Sequence, residues 1–203
     1  MTDVAVFFIA PTGRSMRSLR RYTPDGACPD CGTGRHDAST DLDSVVSDGP
    51  FDVSRAPTHL ERTLYAARWP TKCSGCDYEF REEDAWQIFS SREYASADGR
   101  AFVGLHRLPV GACYDARWYP KKGPDGRRLI VMTPGGLWDI DSRASNCTMP
   151  HDDAHQCWVR RGKPEDGTLH VDKSGLTCAA GAGSIQFPNW HGFLHNGRLS
   201  ENG

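Results

Sequence analysis

The sequence predicts an α+β, β-rich fold, with antiparallel sheets of short strands and an N-terminal zinc-knuckle module. Three observations predict it. Turn-formers are frequent, with 21 Gly and 13 Pro in 203 residues, above an ordinary share of about 12%. Apolar residues fall in short runs that alternate with period two after Cys76. Two Cys-x-x-Cys pairs, Cys28/Cys31 and Cys73/Cys76, stand before residue 80. The longest apolar run, Val4–Ala10, is far short of the roughly 18–20 residues that span a bilayer. It lacks the charged start and cleavage site of a signal peptide. A chain with no membrane partner is therefore expected. The formal charge of −2 provides no global basic field to recruit nucleic acid.

Taken in order, Val4–Ile9 reads as a strand closed by Pro11-Thr-Gly13. Arg14, Arg17, Arg20 and Arg21 follow, interspersed with Met16 and Leu19. Residues 33–53 are rich in Asp, Ser and Gly without periodicity and read as a loop, with 40–54 less ordered than its surroundings. Pro57 opens a helix over 58–68, with Leu60, Leu64 and Ala67 on one face and Pro70 as its stop. Trp86–Phe89 and Ala101–Leu105 pair as a hairpin across Asp98-Gly99. Further strands are expected at 128–133, 137–140, 156–160, 168–171, 184–187 and 190–195. Gly123-Pro-Asp-Gly126, Pro134-Gly-Gly136, Lys173-Ser-Gly175 and Asn196-Gly197 separate them. Trp86, Phe89, Phe102, Leu105, Ile130, Trp138, Ile140, Trp158, Val171, Ile185 and Phe193 form the expected core. The composition changes near residue 80, which divides the chain into a zinc-knuckle module (1–80) and a β-rich core domain (81–203).

The two Cys-x-x-Cys pairs carry the clearest chemistry. Two residues between thiols let a tight turn aim both sulfurs at one point, and two such turns make the tetrahedral thiolate shell Zn²⁺ prefers. Cys28, Cys31, Cys73 and Cys76 are the expected ligands of one structural zinc, with His36 as a substitute for one of them. The 41 residues between the pairs exceed the usual 15–20 of a zinc ribbon, but a longer closed loop costs little extra entropy. Independent redox pairs or local disulfides are the competing readings.

A second group follows. Cys147, His151, His155 and Cys157 crowd one stretch, with Cys178 and His191 further on. A second zinc, a Cys–His nucleophile and base, an oxidative disulfide, and simple buried thiols beside Cys113 all fit. Cys147, His155, Cys157, Cys178 and His191 are expected to gather. Asp139 and Asp141 flank Ile140, either as an acid/base pair or as a hydrated strand face.

The blocks Thr133-Pro-Gly-Gly-Leu-Trp-Asp-Ile-Asp-Ser-Arg-Ala-Ser-Asn-Cys147 and His155-Gln-Cys-Trp-Val-Arg-Arg-Gly162 resemble small uncharacterised proteins of actinobacterial phages. So do Val171-Asp-Lys-Ser-Gly-Leu-Thr-Cys-Ala-Ala-Gly-Ala-Gly-Ser-Ile185 and Trp190-His-Gly-Phe-Leu-His-Asn-Gly197. The resemblance also takes in the paired knuckles and Pro109-Val-Gly-Ala112, and covers most of 73–199. It implies a phage or prophage source, and with it a place in the cytoplasm of a host cell or in a virion, but no particular reaction.

Three functions compete. One is a non-catalytic zinc-binding accessory module that docks on a protein or virion component, with Arg14–Arg21 and the six Trp as contact groups. Nucleic acid is weakly supported there, because no aromatics interleave with those arginines. The second is a metal- or cysteine-dependent hydrolase built around Cys147, His155, Cys157, Cys178 and His191, with no catalytic residue assigned. The third is a virion structural component. A cytidine deaminase is excluded, since its Pro-Cys-x-x-Cys would need Pro where Ala27 stands.

Overall fold

The computed structural model describes residues 3–24, 31, 34–46, 54–144, 146–152, 155–173, 178 and 184–201. The described chain is β-rich, with antiparallel and mixed sheets and one short α-helix. It forms two compact units. The first comprises residues 1–10, 95–101 and 106–203, and the second comprises 11–94 and 102–105. The second unit is thus an insertion in the chain of the first. No helix among the described residues is long and apolar enough to cross a membrane.

In the first unit, β1 (Asp3–Ala5), β14 (Arg198–Glu201), β13 (Trp190–His195) and β12 (Ile185–Phe187) form one antiparallel sheet in that order. Asn196 (φ +50°) and Gly197 (φ +71°) make the tight turn between β13 and β14, the left-handed pair a two-residue hairpin requires. A second ladder joins β7 (Ala112–Asp115), β8 (Leu129–Thr133) and β9 (Gly136–Asp139), all antiparallel. Phe7 and Phe8, at the start of β2 (Phe7–Tyr22), lie parallel to Ala112 and Cys113 and make this sheet mixed. β10 (Val159–Arg161) and β11 (His170–Asp172) pair alone. Val6, Leu129, Val131, Trp138, Ile140, Leu169, Val171, Ile185, Trp190 and Leu194 pack as one core, with Cys113 fully enclosed among them.

In the second unit, residues 14–22 of β2 pair antiparallel with β3 (Asp37–Val46), with a bulge at Arg17/Ser18. β4 (Ser54–Arg55) pairs with β5 (Ala85–Ser96), and β5 neighbours β2. α1 (His59–Leu64) starts at Thr58, whose side chain and Glu61 close a capping box, and a 3₁₀ turn follows over Ala66–Arg68. The apolar core here is small: Leu19, Trp69 and Ile88, with Leu42, Tyr65 and Trp86 against them.

Several expectations need correction. The loop expected over 33–53 contains β3; its polar sequence is held by charge pairing with β2. Arg17 bonds Asp43 at 3.0 and 3.1 Å, Arg20 bonds Asp37 at 2.9 and 3.0 Å, and Ser18 bonds Asp41 at 2.6 Å. The expected reduced order over 40–54 is not found at 40–46, which belong to β3, nor at 54; residues 47–53 lie outside the described residues. Leu60 and Leu64 are exposed, so α1 buries no apolar face. Ile130, Trp138, Ile140, Val171 and Ile185 are buried as expected. Ile88 and Leu194 are buried in place of their neighbours Phe89 and Phe193. Both members of each pair are apolar, so alternation alone does not choose the inward face.

Candidate metal centres

The second unit brings Cys31, His36, Cys73 and Cys76 together, with one ligand atom from each within 4.8 Å of the others. Cys31 Sγ lies 3.4 Å from Cys73 Sγ and 3.9 Å from His36 Nδ1, and Cys76 Sγ lies 3.3 Å from that nitrogen. Ligands about 2.0–2.3 Å from a tetrahedral ion stand about 3.3–3.8 Å apart. The second knuckle is shaped by N–H donors: Gly75 and Asp37 each donate to Cys73 Sγ at 3.4 Å. Cys73 N donates to Tyr78 O at 2.9 Å and folds the segment back. Tyr78 stacks on the His36 ring at 3.9 Å and fixes its plane. Burial raises the Cys73 thiol, but the Gly75 and Asp37 donors, with Cys31 and His36, outweigh it and hold it at about 6. A lowered thiol supplies the thiolate a metal needs. Cys28 lies outside the described residues. His36 therefore stands with three of the four expected cysteines.

The first unit holds a second tetrad, Cys147, His155, Cys157 and Cys178, again within 4.8 Å. Cys178 Sγ is 3.9 Å from Cys147 Sγ and 3.8 Å from Cys157 Sγ, and Cys157 Sγ is 3.6 Å from His155 Nε2. The backbone nitrogen of Met149 donates to Cys147 Sγ at 3.4 Å, and that of Ala144 to Cys157 Sγ at 3.2 Å. The Met149 bond spans two residues, as Gly75 to Cys73 does in the other tetrad. His155, Cys157 and Cys178 are buried and Cys147 is half-buried. Burial pushes the Cys157 thiol up to about 11, against the pull of the Ala144 N–H. Three thiols and an imidazole packed this closely favour a cation among them, because it stabilises the thiolates that burial alone penalises.

His191 does not join this group. It is exposed in β13, opposite Gln186, and lines an open cleft of about 430 Å³ with Phe187, Trp190 and Glu201. His155 and Cys157 precede β10, so their proximity comes from an irregular turn rather than the strand expected over 156–160. Cys31, Cys73, Cys76, Cys113, Cys147, Cys157 and Cys178 are all free thiols. Cys113 belongs to neither tetrad; burial pushes its thiol far up, as for a core residue.

No family model, curated protein or solved structure matches the chain.

The remaining candidates are structural. Asp141 is buried, accepts from Leu129 N at 2.8 Å and pairs with Arg160 Nε at 2.8 Å. Asp139 pairs with Arg128 at 2.5 and 2.9 Å. Both carboxylates are tied to arginines, with only Asp139 Oδ1, buried, left without a hydrogen-bond partner among the described residues. The sequence also contains a His-x-Glu, His59-Leu-Glu61, but Glu61 is occupied by Thr58 and Arg55. Arg14–Arg21 is not an open basic patch: β3 neutralises Arg17 and Arg20, while Arg21 is buried with its guanidinium 3.5 Å from the Trp86 ring.

Proposed function

We propose that both tetrads bind Zn²⁺ and that the protein is a zinc-stabilised, non-catalytic module that docks on a macromolecular partner. The observation that carries this reading is the pair of Cys₃His sets with ligand spacing suited to a tetrahedral ion. Sulfur-rich tetrahedral donor sets favour zinc among common cellular divalent ions. Four protein donors fill the shell and leave no position for the water that a catalytic zinc carries. The hydrolase alternative needs such a position and is less well supported. In the second unit the apolar core is so small that a metal would supply much of the folding free energy; structural zinc contributes roughly 10–16 kcal/mol. The resemblance to actinobacterial phage proteins supports an accessory role during infection, in the host cytoplasm or the virion.

The test is metal content per chain, measured by plasma mass spectrometry on protein purified under reducing conditions. Two zinc ions are expected. Cys73→Ser and Cys157→Ser should each remove one ion, and the double variant both. X-ray absorption should give three sulfurs and one nitrogen around each zinc. Four sulfurs at the first centre would instead assign Cys28 in place of His36. A wild-type protein purified without zinc, and taking up none when zinc is added to the reduced protein, would refute the reading.

A further inference from the structure

The first unit carries a basic, aromatic segment beside its metal tetrad. From Arg117 to Arg128 the sequence is Arg-Trp-Tyr-Pro-Lys-Lys-Gly-Pro-Asp-Gly-Arg-Arg, in which five cationic side chains face a single Asp. Two large rings stand out from it. Trp118 is 54% exposed and Tyr119 is 40% exposed. They are held, not loose. Trp118 stacks near Tyr114, with ring centroids 6.0 Å apart at 27°. Tyr119 lies 6.0 Å from Trp118, and the Arg128 guanidinium sits 4.3 Å from the Tyr119 centroid.

The backbone beneath the rings is fixed from three sides. Lys121 Nζ donates to the carbonyl of His155, a member of the second tetrad, at 3.3 Å. Arg128 donates to the carbonyl of Lys121 at 3.2 Å and is itself held by Asp139. Gly123 rests on the buried Asp141–Arg160 pair, where a Cβ would lie 2.2 Å from Asp141 Oδ1. Lys122 donates to the carbonyl of Arg117 at 2.9 Å. Neither lysine has a carboxylate partner among the described residues.

Arg117 pairs with Asp115 at 3.2 Å, Arg127 with Asp125 and Glu165, and Arg128 with Asp139, so Lys121 and Lys122 are the cations of the segment left without a carboxylate beside the exposed rings. Exposed rings next to such lysines match a polyanion whose units have π faces. Base–aromatic stacking supplies about 1–3 kcal/mol per base whatever the sequence, and the cations track the phosphates. Trp and Tyr are enriched at protein interfaces as well, but lysine is depleted there, and the lysines are the cations that stand without carboxylates here. We propose that the segment Arg117–Arg128 binds single-stranded nucleic acid, with Trp118 and Tyr119 as stacking platforms and Lys122 as the phosphate contact. This rests on the docking-module reading and names its partner class. The metal centre's part is to hold the segment in place through Lys121.

The test uses the full-length, zinc-replete protein with fluorescein-labelled oligo-dT and oligo-rU, followed by anisotropy as salt is raised. Metal content and thermal melting are recorded for every variant, so failure of the zinc reading is scored separately. Wild type should bind at low salt. Removing each ring, by W118A or Y119A, should weaken binding by about 5- to 150-fold while two zinc ions remain. Lys122→Gln should flatten the slope of log K against log salt by about 0.7. Zinc-loaded wild type that leaves both oligonucleotides free at low salt would overturn the proposal, as would W118A/Y119A binding as wild type does. Capture of an acidic protein through these residues, with no oligonucleotide bound, would overturn it in favour of a protein partner.

Discussion

Replacing Asp141 by Ala tests how the segment over the second metal centre is supported. The Asp141 and Arg160 side chains are 1% and 3% exposed. Removing the carboxylate leaves the Leu129 N–H, now bonded at 2.8 Å in a fully buried strand, without its acceptor. An orphaned buried donor costs about 1–3 kcal/mol. Arg160 would keep Asp125 and the Arg127 carbonyl at 3.1 Å but lose its fully buried counter-charge. Breaking a buried pair from one side costs about 3–5 kcal/mol in all. For a chain of this size that lowers Tm by roughly 6–20 °C. Urea unfolding of the zinc-replete protein measures the difference. Asp141→Leu with Arg160→Met should recover much of the loss, because an apolar pair of similar volume removes both charges from the interior. A single-variant cost below about 1 kcal/mol, or a double variant no better than D141A, would refute the view that an uncompensated charge sets the cost.

Gly123→Ala should destabilise the same region by about 1–3 kcal/mol, since the new methyl meets Asp141 and Arg160 side-chain atoms at 2.2 and 2.5 Å in a packed interior; differential scanning calorimetry reads it. Glu61 is held from 4.5 down to about 2 by Arg55 and the Thr58 N–H. A depressed folded-state pKa means its support of α1 is fully present above about pH 4.5 and is lost as pH falls through 2. Amide shifts of residues 58–61 should follow that titration, and Glu61→Gln should abolish it. The Cys113 thiol, enclosed and raised by burial, should resist Ellman's reagent in the folded, metal-loaded protein at pH 8, whereas chelation should expose thiols of both tetrads to it.

The gathering of the cysteines and histidines was legible in the sequence, because side chains that can hold a metal are marked by type and spacing. Cys73 and Cys76 announce a knuckle by their separation alone. The gathering of Cys147, His155, Cys157 and Cys178 was legible from their density, while His191 was drawn in by residue type without a spacing constraint. β3 escaped notice because its stabilisation lies across the strand pair, in Asp43 and Asp37 meeting Arg17 and Arg20; periodicity within one segment cannot report that. The inward faces of β5 and β13 were ambiguous for a simpler reason: Ile88-Phe89 and Phe193-Leu194 offer an apolar residue to either side. The Arg117–Arg128 surface has no spacing rule and became visible only once Trp118 and Tyr119 were found exposed.

The pairing of β1 with β14 has a consequence for synthesis. Asp3 pairs with Ser200, and its carboxylate meets Arg198 at 2.7 Å across 195 positions of chain. At roughly 5–20 residues per second, translation takes about 5–20 s to pass from residue 95 to residue 201. Residues 11–94 are complete well before then. Val4, whose strand partner is Leu199, and Val6, whose N–H donates to Gly197 O, wait through that interval for their partners. The nascent chain therefore passes through a stage with residues 11–94 complete and β1 still without its β14 partner. A ribosome-bound chain arrested before β14 emerges should bind chaperone more strongly than one arrested after it.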